Sequence, residues 1–303
     1  MSPSESTISQ LWDLDTWARH QRVGRYVRHI YKWPRSTTAR LVLPVCAAFS
    51  LWACLAHALR VRYFPNFVAP LAPLTLISSA VALLLTLRMN LSLLRLQESR
   101  LAWQRLVLHS RETAGLAAAY CAAAPAEAIC RHLALLGWCL KASLRAGEDA
   151  SDVVNTMLSR DAAEAVLGKR KRSVALLRGA HEVVAGEAQG GRLNAEAHLS
   201  LLTQLHNLNT QISICERLLA SPVAPTITRH TSRVLLSWLA CVPLGLEGLG
   251  LALPVVVLAT IRTSYIMVGI DQIGVELEQP FQLLPMNSLA AALTRDVVAE
   301  CAH

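Results

Sequence analysis

The stretch FPNFVAPLAPLTLISSAVALLLTL, residues 64–87, is uncharged and runs without a break into RMNLSLLRLQESRLAWQRL, residues 88–106. Its twenty-four residues, at about 1.5 Å each, give roughly 36 Å of helix, enough to cross a hydrocarbon core of about 30 Å. A membrane span is therefore expected here. Beyond it the helical pattern continues with different chemistry: Arg88, Ser92, Arg95 and Ser99 fall on one stripe, and Leu91, Leu94 and Leu101 on another. That change predicts a helix that leaves the bilayer and enters a protein-covered aqueous zone.

Composition points the same way. Hydrophobic residues make up 53% of the 303 and charged residues only 17%, outside the usual range for a soluble chain of this length. The net charge of +8 would suit a nucleic-acid partner, but aromatic residues are 5% and no zinc finger or aromatic RNA-binding signature occurs, so none is expected. The charge reads instead as basic segments flanking membrane spans. Among the eight cysteines there is no CxxC, and Cys121, Cys130 and Cys139 recur every nine residues, about half a helical revolution each time. All are expected to be small buried apolar residues, in neither a disulfide framework nor a zinc site. Of the ten histidines, His181 is followed by Glu182 but lacks the second His of HExxH, and no Gly-rich loop precedes a Lys-Ser/Thr pair. No catalytic residue, metal site or cofactor is predicted, and an enzyme is not expected.

Five segments follow from the apolar pattern. Residues 1–40 are basic, with Arg19, Arg22, Arg25, Arg28, Lys32, Arg35 and Arg40, and are expected to lie along the membrane surface through Trp12, Trp17, Tyr26 and Trp33. They read as neither a secretory signal nor a clear transit peptide, since Asp13 and Asp15 interrupt the basic run. Residues 41–105 hold two spans, 41–59 and the stretch quoted first. Residues 106–229 read as an extramembrane body of Ala- and Leu-rich helices broken at Pro125, at Gly147, and at Gly190 with Gly191. In it the run Lys169, Arg170, Lys171, Arg172 reads as a solvated helix face or an anionic-lipid contact. Residues 230–272 form a second hairpin turning between Gly245 and Gly250, with Glu247 placed to reach water at the turn. Residues 273–303 complete the chain outside the membrane. The positive-inside rule puts the basic N-terminal segment and the region after Arg88 in the cytoplasm or its equivalent.

One face of the second span is small and mildly polar: Ala72, Leu76, Ala80 and, near them, Leu83, with Ser78 and Ser79 alongside. Such a face serves either tight helix–helix packing or, repeated around an axis, the wall of a narrow pore. Pattern alone leaves both open.

Longer segments carry a resemblance. ICERLLASPVAPTITRHTSRVLLSWL, residues 214–239, and VGIDQIGVELEQPFQLLPM, residues 268–286, resemble stretches of the bestrophin family as found in plant and algal members. Pro73 to Asn90, followed by Arg95, Glu98, Arg100 and Trp103, looks like the same family's pore-helix pattern, and Asp15, Thr16, Trp17, Arg19 and His20 with Arg25, Tyr26, Arg28 and His29 resemble its plant-type N-terminus. The likeness covers about residues 13–290, with four motifs in order.

The resemblance implies an all-α membrane protein with four transmembrane segments and a large cytoplasmic or stromal helical region, forming a homopentamer around one axial pore. It implies a passive channel for chloride or a similar monovalent anion, or alternatively a bicarbonate channel of a photosynthetic carbon-concentrating system; a non-conducting membrane scaffold is the reading from a different class. The partners would be those anions, membrane lipid and further copies of the chain, and the membrane a chloroplast thylakoid or another. Carried over by position, the hydrophobic neck falls on Ala72, Leu76 and Ala80, where many members have bulkier residues; the alanines imply a wider neck or one closed at Leu76 and Leu83. The lower constriction falls near Glu196 or Ala197. Arg88 and Arg95, just past the neck, would either concentrate anions in the lumen or sit in structural pairs with Glu98 or a neighbouring copy. Animal members carry a calcium clasp of clustered acids after the matching Pro280–Phe281 position, and here no acid follows until Asp296, so no such gate is expected.

Overall fold

The computed structural model describes residues 11–33, 36–66 and 69–302. The first ten residues of the basic segment, and Phe67 and Val68 of the opening stretch, therefore lie outside the described residues. Among the described residues there are thirteen α-helices and no strand: α1 (Leu14–Gln21), α2 (Arg25–Lys32), α3 (Thr37–Tyr63), α4 (Ala72–Tyr120), α5 (Ala123–Leu144), α6 (Ser151–Met157), α7 (Arg160–Leu167), α8 (Arg172–Gln189), α9 (Ala195–Ala220), α10 (Pro225–Gly248), α11 (Leu253–Glu278), α12 (Pro280–Leu283) and α13 (Met286–Cys301). They divide into two compact units. One holds Trp12–Leu96 and Pro222–Pro280, the other Gln97–Ser221 and the chain from Phe281. The divisions between these units fall inside α4 and near Pro222 and Pro280.

In the first unit, α3, α4 and α11 are long and apolar enough to cross a membrane. α3 and α11 run antiparallel: Thr38 donates to Glu276 at one end, while His57 and Arg60 meet Glu247, just before α11 begins, at the other. α10, the fourth segment expected in the membrane, is uncharged from Val234 to Leu246, about 20 Å of helix. It packs against its neighbours through Leu235 and Leu239, which form a buried cluster with Val81 and Leu85 of α4, flanked by Phe49, Trp238 and Met267. The turn to α11 comes where the sequence put it, on Gly250, whose φ of +71° only glycine adopts without strain.

Glu247 corrects an expectation. It does not reach water: it is 2% exposed, with His57 Nδ1 2.8 Å and Arg60 Nη1 3.1 Å from its carboxylate, and Arg60 also donates to its backbone carbonyl. The turn residues beyond it, not the glutamate, carry the exposure. At the start of the unit, α1 is capped by Asp13, which accepts from the Thr16 N–H at 2.8 Å. Neither α1 nor α2 buries a residue. α2 carries Arg25, Arg28, His29 and Lys32 on one side and Tyr26, Val27 and Ile30 on the other, the arrangement of a helix that rests on an apolar surface.

The second unit is built on α5, whose Ile129, Leu133, Leu136 and Leu140 are buried. α13 lies directly against it: a Cβ added at Gly137 would come within 3.1 Å of the Ala290 backbone, so any larger residue there requires α13 to shift by a few tenths of an ångström or more. The Trp138 indole donates to Thr294, whose hydroxyl donates to the Ala134 carbonyl, and Arg145 donates to the carbonyls of Phe281 and Leu284. This packing corrects the cysteine reading. Cys130 and Cys301, 171 residues apart in sequence, form a disulfide because α13 returns to α5, a juxtaposition no spacing rule exposes. Cys54 and Cys241 are exposed, so burial of all eight does not hold either. Cys139 and Cys215 do behave as expected, and burial pushes their thiols up to about 11 and about 12.

The basic run is not a helix face: Lys169, Arg170 and Lys171 lie in the loop before α8, and Arg172 is the first residue of that helix. Lys171 pairs with Glu216 at 2.5 Å and Arg172 with Asp149 at 2.7 Å, the Arg172 guanidinium holding the Asp149 carboxyl down at about 2. Gly137→Leu is expected to force α13 away from α5 and lower the thermal midpoint, at an overpacking cost of about 1–3 kcal/mol; a melting curve unchanged from the parent would show that the two helices do not touch there.

Candidate functional site: the outer face of α4

α4 has two opposite faces. Its inner face buries Val81, Leu85, Arg88, Ser92, Leu96, Ser99, Trp103 and Leu106, recurring at three- and four-residue steps. Its outer face presents Ala72, Leu76, Ser79, Leu83, Leu87, Asn90, Leu94 and Leu101, all exposed on the isolated chain; Leu76 is 76% exposed, Leu83 63% and Leu94 60%. The polarity is the reverse of a water-soluble amphipathic helix. The stripe of Arg88, Ser92 and Ser99 points into protein, and the leucine stripe points out.

Within the neck expected from the sequence, Ala72, Leu76, Ala80 and Leu83 are exposed, Ala80 standing toward the edge of the stripe and Ser79 nearer its centre. The hydroxyls that accompany them turn back on the helix: Thr75, Ser78, Ser79 and Thr86 donate to backbone carbonyls three or four residues earlier. With its hydroxyls engaged in this way, the outer face offers chiefly carbon.

Below this stretch, the positions of Arg88 and Arg95 are set by α11. Arg88 is 1% exposed; its Nη1 pairs with Asp271, and its Nε and Nη2 each lie 3.4 Å from Glu278 Oε1. Arg95 Nε donates to the Glu278 carbonyl at 3.1 Å. Glu98, a partner considered for both arginines, is instead paired with Arg217. Sequence reasoning missed Asp271. The signal was present, because Asp271 and Glu278 are seven residues apart and so share one face of the largely apolar α11, which demands a cation opposite.

The residues proposed for the lower constriction separate. Ala197 is buried, its N–H donating to the Asn194 cap at 2.6 Å, while Glu196 beside it is exposed. Among the described residues no three His, Cys, Asp or Glu side chains gather to hold a metal ion. Glu276 and Glu278 are committed to Thr38 and Arg88.

An integral membrane protein of three long apolar helices and a helical extramembrane body, with an apolar helix face left uncovered by its own chain, is the class this arrangement defines. Residues 16–299 match the family model described as Bacterial/Fungal Bestrophin protein. The chain belongs to the bestrophin family. It is 25% identical over 304 residues to voltage-dependent chloride channel 2, chloroplastic, of Arabidopsis thaliana, covering 93% of this chain and 70% of that one. It is 26% identical to a voltage-dependent anion channel-forming protein of Ralstonia nicotianae, over 91% of this chain and 92% of the other. A solved bestrophin homologue from Klebsiella pneumoniae carrying a W252A mutation superposes with a TM-score of 0.82 at 20% identity, covering 88% of this chain and 99% of that one.

Arg88→Leu is expected to cost at most about 3–5 kcal/mol, because two half-buried carboxylates lose their counter-charge, read as a drop in thermal midpoint in detergent. Adding Asp271→Asn and Glu278→Gln should recover much of the loss. If the triple variant is no more stable than the single one, the cluster is not what holds α4 to α11.

Proposed function

We infer that this chain is a passive anion channel and not an enzyme. The reading is carried by membership of the bestrophin family together with the names of its relatives, which in Arabidopsis, Ralstonia and Escherichia coli are voltage-dependent chloride or anion channels. The conducting unit is a homopentamer in which five copies of α4 turn their outer faces to a common axis. The exposed leucine stripe supports this: a monomer in lipid has no need to expose the apolar stripe into the extramembrane half of α4, where Leu94 and Leu101 stand out.

In this reading Ala72, Leu76, Ala80 and Leu83 wall the neck. An apolar ring admits the more weakly hydrated ion at lower desolvation cost, and conduction benefits from the absence of a tight charged site. The two alanines make the ring wide and leave Leu76 and Leu83 as its narrowest points. Arg88 and Arg95 act as scaffold below the neck, held by Asp271 and Glu278, and leave the lumen without a fixed cation at that depth. Glu196 faces the lower passage. Chloride is the ion proposed; bicarbonate, also monovalent, meets the same carbon-lined wall. The Arabidopsis relatives, named chloroplastic, support a chloroplast membrane, of which the thylakoid is the one proposed, and the bacterial ones, matched over nine-tenths of their length, support a cell membrane.

Planar-bilayer recording of the purified protein under a chloride gradient should show an anion-selective current, and its absence across a range of voltages would leave a non-conducting scaffold. Replacing chloride by bicarbonate tests the second ion. Leu76→Glu is expected to suppress chloride current by about tenfold or more, since a ring of carboxylates repels the ion, and Ala80→Phe to lower conductance by narrowing the ring. Currents indistinguishable from the parent in both variants would remove α4 from the pore wall.

A further inference from the structure

Between α3 and α11 lies a cavity of about 570 Å³, within the range of small-ligand sites, about 300–1,000 Å³. Buried Ala39 and Cys46 line it together with exposed Leu43, Ile261 and Ile266. Trp33 and Tyr265 also face it as a pair, the indole N–H donating to the phenol oxygen at 2.5 Å with the rings edge-on and 5.4 Å apart. The remaining wall residue is Arg262. It is exposed, and its guanidinium has no hydrogen-bond or ion-pair partner among the described residues.

That position is costly without a counter-ion. Arg262 lies nine residues past Leu253, about 14 Å along α11, and a lone guanidinium on a membrane-spanning helix is unfavourable without a counter-charge. The two buried charges of this unit are paired within the chain, Arg88 with Asp271 and Glu278 and Glu247 with Arg60, whereas Arg262 stands exposed beside an apolar groove with no such partner. The missing partner of Arg262 is therefore an anion that enters from the bilayer side, and the apolar groove beside it asks that this anion carry hydrocarbon. A hydrated inorganic ion satisfies the charge but not the groove, and a neutral lipid the groove but not the charge. α2, whose C-cap is Trp33, adds Arg25, Arg28 and Lys32 on its polar side, each attracted to an anionic membrane surface.

We propose that this groove is a specific site for one anionic phospholipid, its acyl chain lying along Leu43, Ile261 and Ile266 and its phosphate paired with Arg262. The guanidinium stem lets the charge snorkel toward the headgroup while the tail displaces the empty volume. Trp33 and Tyr265, amphipathic and hydrogen-bonded to each other, close the site on the side of α2. The lipid thereby links the surface helix to the α3–α11 pair.

The test uses the full chain in nanodiscs containing equal parts of phosphatidylglycerol and phosphatidylcholine, with the lipids retained after mild detergent extraction counted by native mass spectrometry. Wild type is expected to retain phosphatidylglycerol over phosphatidylcholine by about tenfold, as a charge-assisted pair provides. Arg262→Leu, which suits a membrane helix and so should fold, is expected to abolish that preference; Arg262→Lys should keep part of it. Leu43→Trp, filling the groove, should reduce retention of both lipids with helix content unchanged by circular dichroism. Equal retention of the two lipids by wild type, or an undiminished preference in Arg262→Leu, would overturn the site. So would a benzophenone photoprobe at position 43 that joins two copies of the chain in place of lipid. The readout is lipid binding, so its failure leaves the conduction reading standing and the converse holds as well.

Discussion

A guanidinium at the foot of an apolar span has to find its counter-charge within reach, and Arg88 finds two on α11, Asp271 and Glu278. Because the desolvation cost is recovered only when all three groups meet, this cluster fixes the rotation of α4 about its own axis. Once Arg88 points inward, helical periodicity carries Val81, Leu85, Ser92 and Ser99 inward with it and turns Leu76, Leu83, Leu94 and Leu101 out. The apolar outer face proposed as a pore wall is thus a consequence of where one buried charge is satisfied.

The opposite end of the same bundle uses the same device with the signs exchanged. Glu247, buried at the C-terminus of α10, is met by Arg60 and His57 of α3. Two ionic locks at the two ends of the apolar layer hold helices whose contacts in between are mostly carbon on carbon, through Val81, Leu85, Leu235 and Leu239, with the Trp52 and Trp238 indoles donating to the carbonyls of Ala240 and Leu74. In hydrocarbon such contacts supply packing but little direction, since lipid tails are as apolar as leucine. The charges therefore specify which face meets which, and Arg262, left without such a partner, is the exception that points outward to lipid.

Much of the architecture was legible in residue order. The apolar runs marked α3, α4 and α11 as spans, the glycines between 245 and 250 marked the hairpin turn, and motifs spread over most of the chain marked the family. What could not be read was which acids and bases would be buried. Glu247 looked solvent-facing because it stands at a turn, yet the returning α3 covers it. Ala197 looked like a candidate for a constriction because it neighbours Glu196, yet one step of 100° along α9 takes it into the core. The Cys130–Cys301 bond depends on α13 packing on α5 through Gly137, a contact between residues far apart in the chain.

The amino-acid order by itself determined that this is a helical membrane protein of the bestrophin family, because span length, hydropathy and motif order are local properties of the chain. Only the tertiary structure decided which stripe of α4 is inside. Sequence periodicity gives two faces, one of arginine and serine and one of leucine, and in water the polar one would face out. The direction reversed because Asp271 and Glu278 arrive on a helix about 180 residues later, and an ion pair sheltered from solvent outweighs the preference of either face alone.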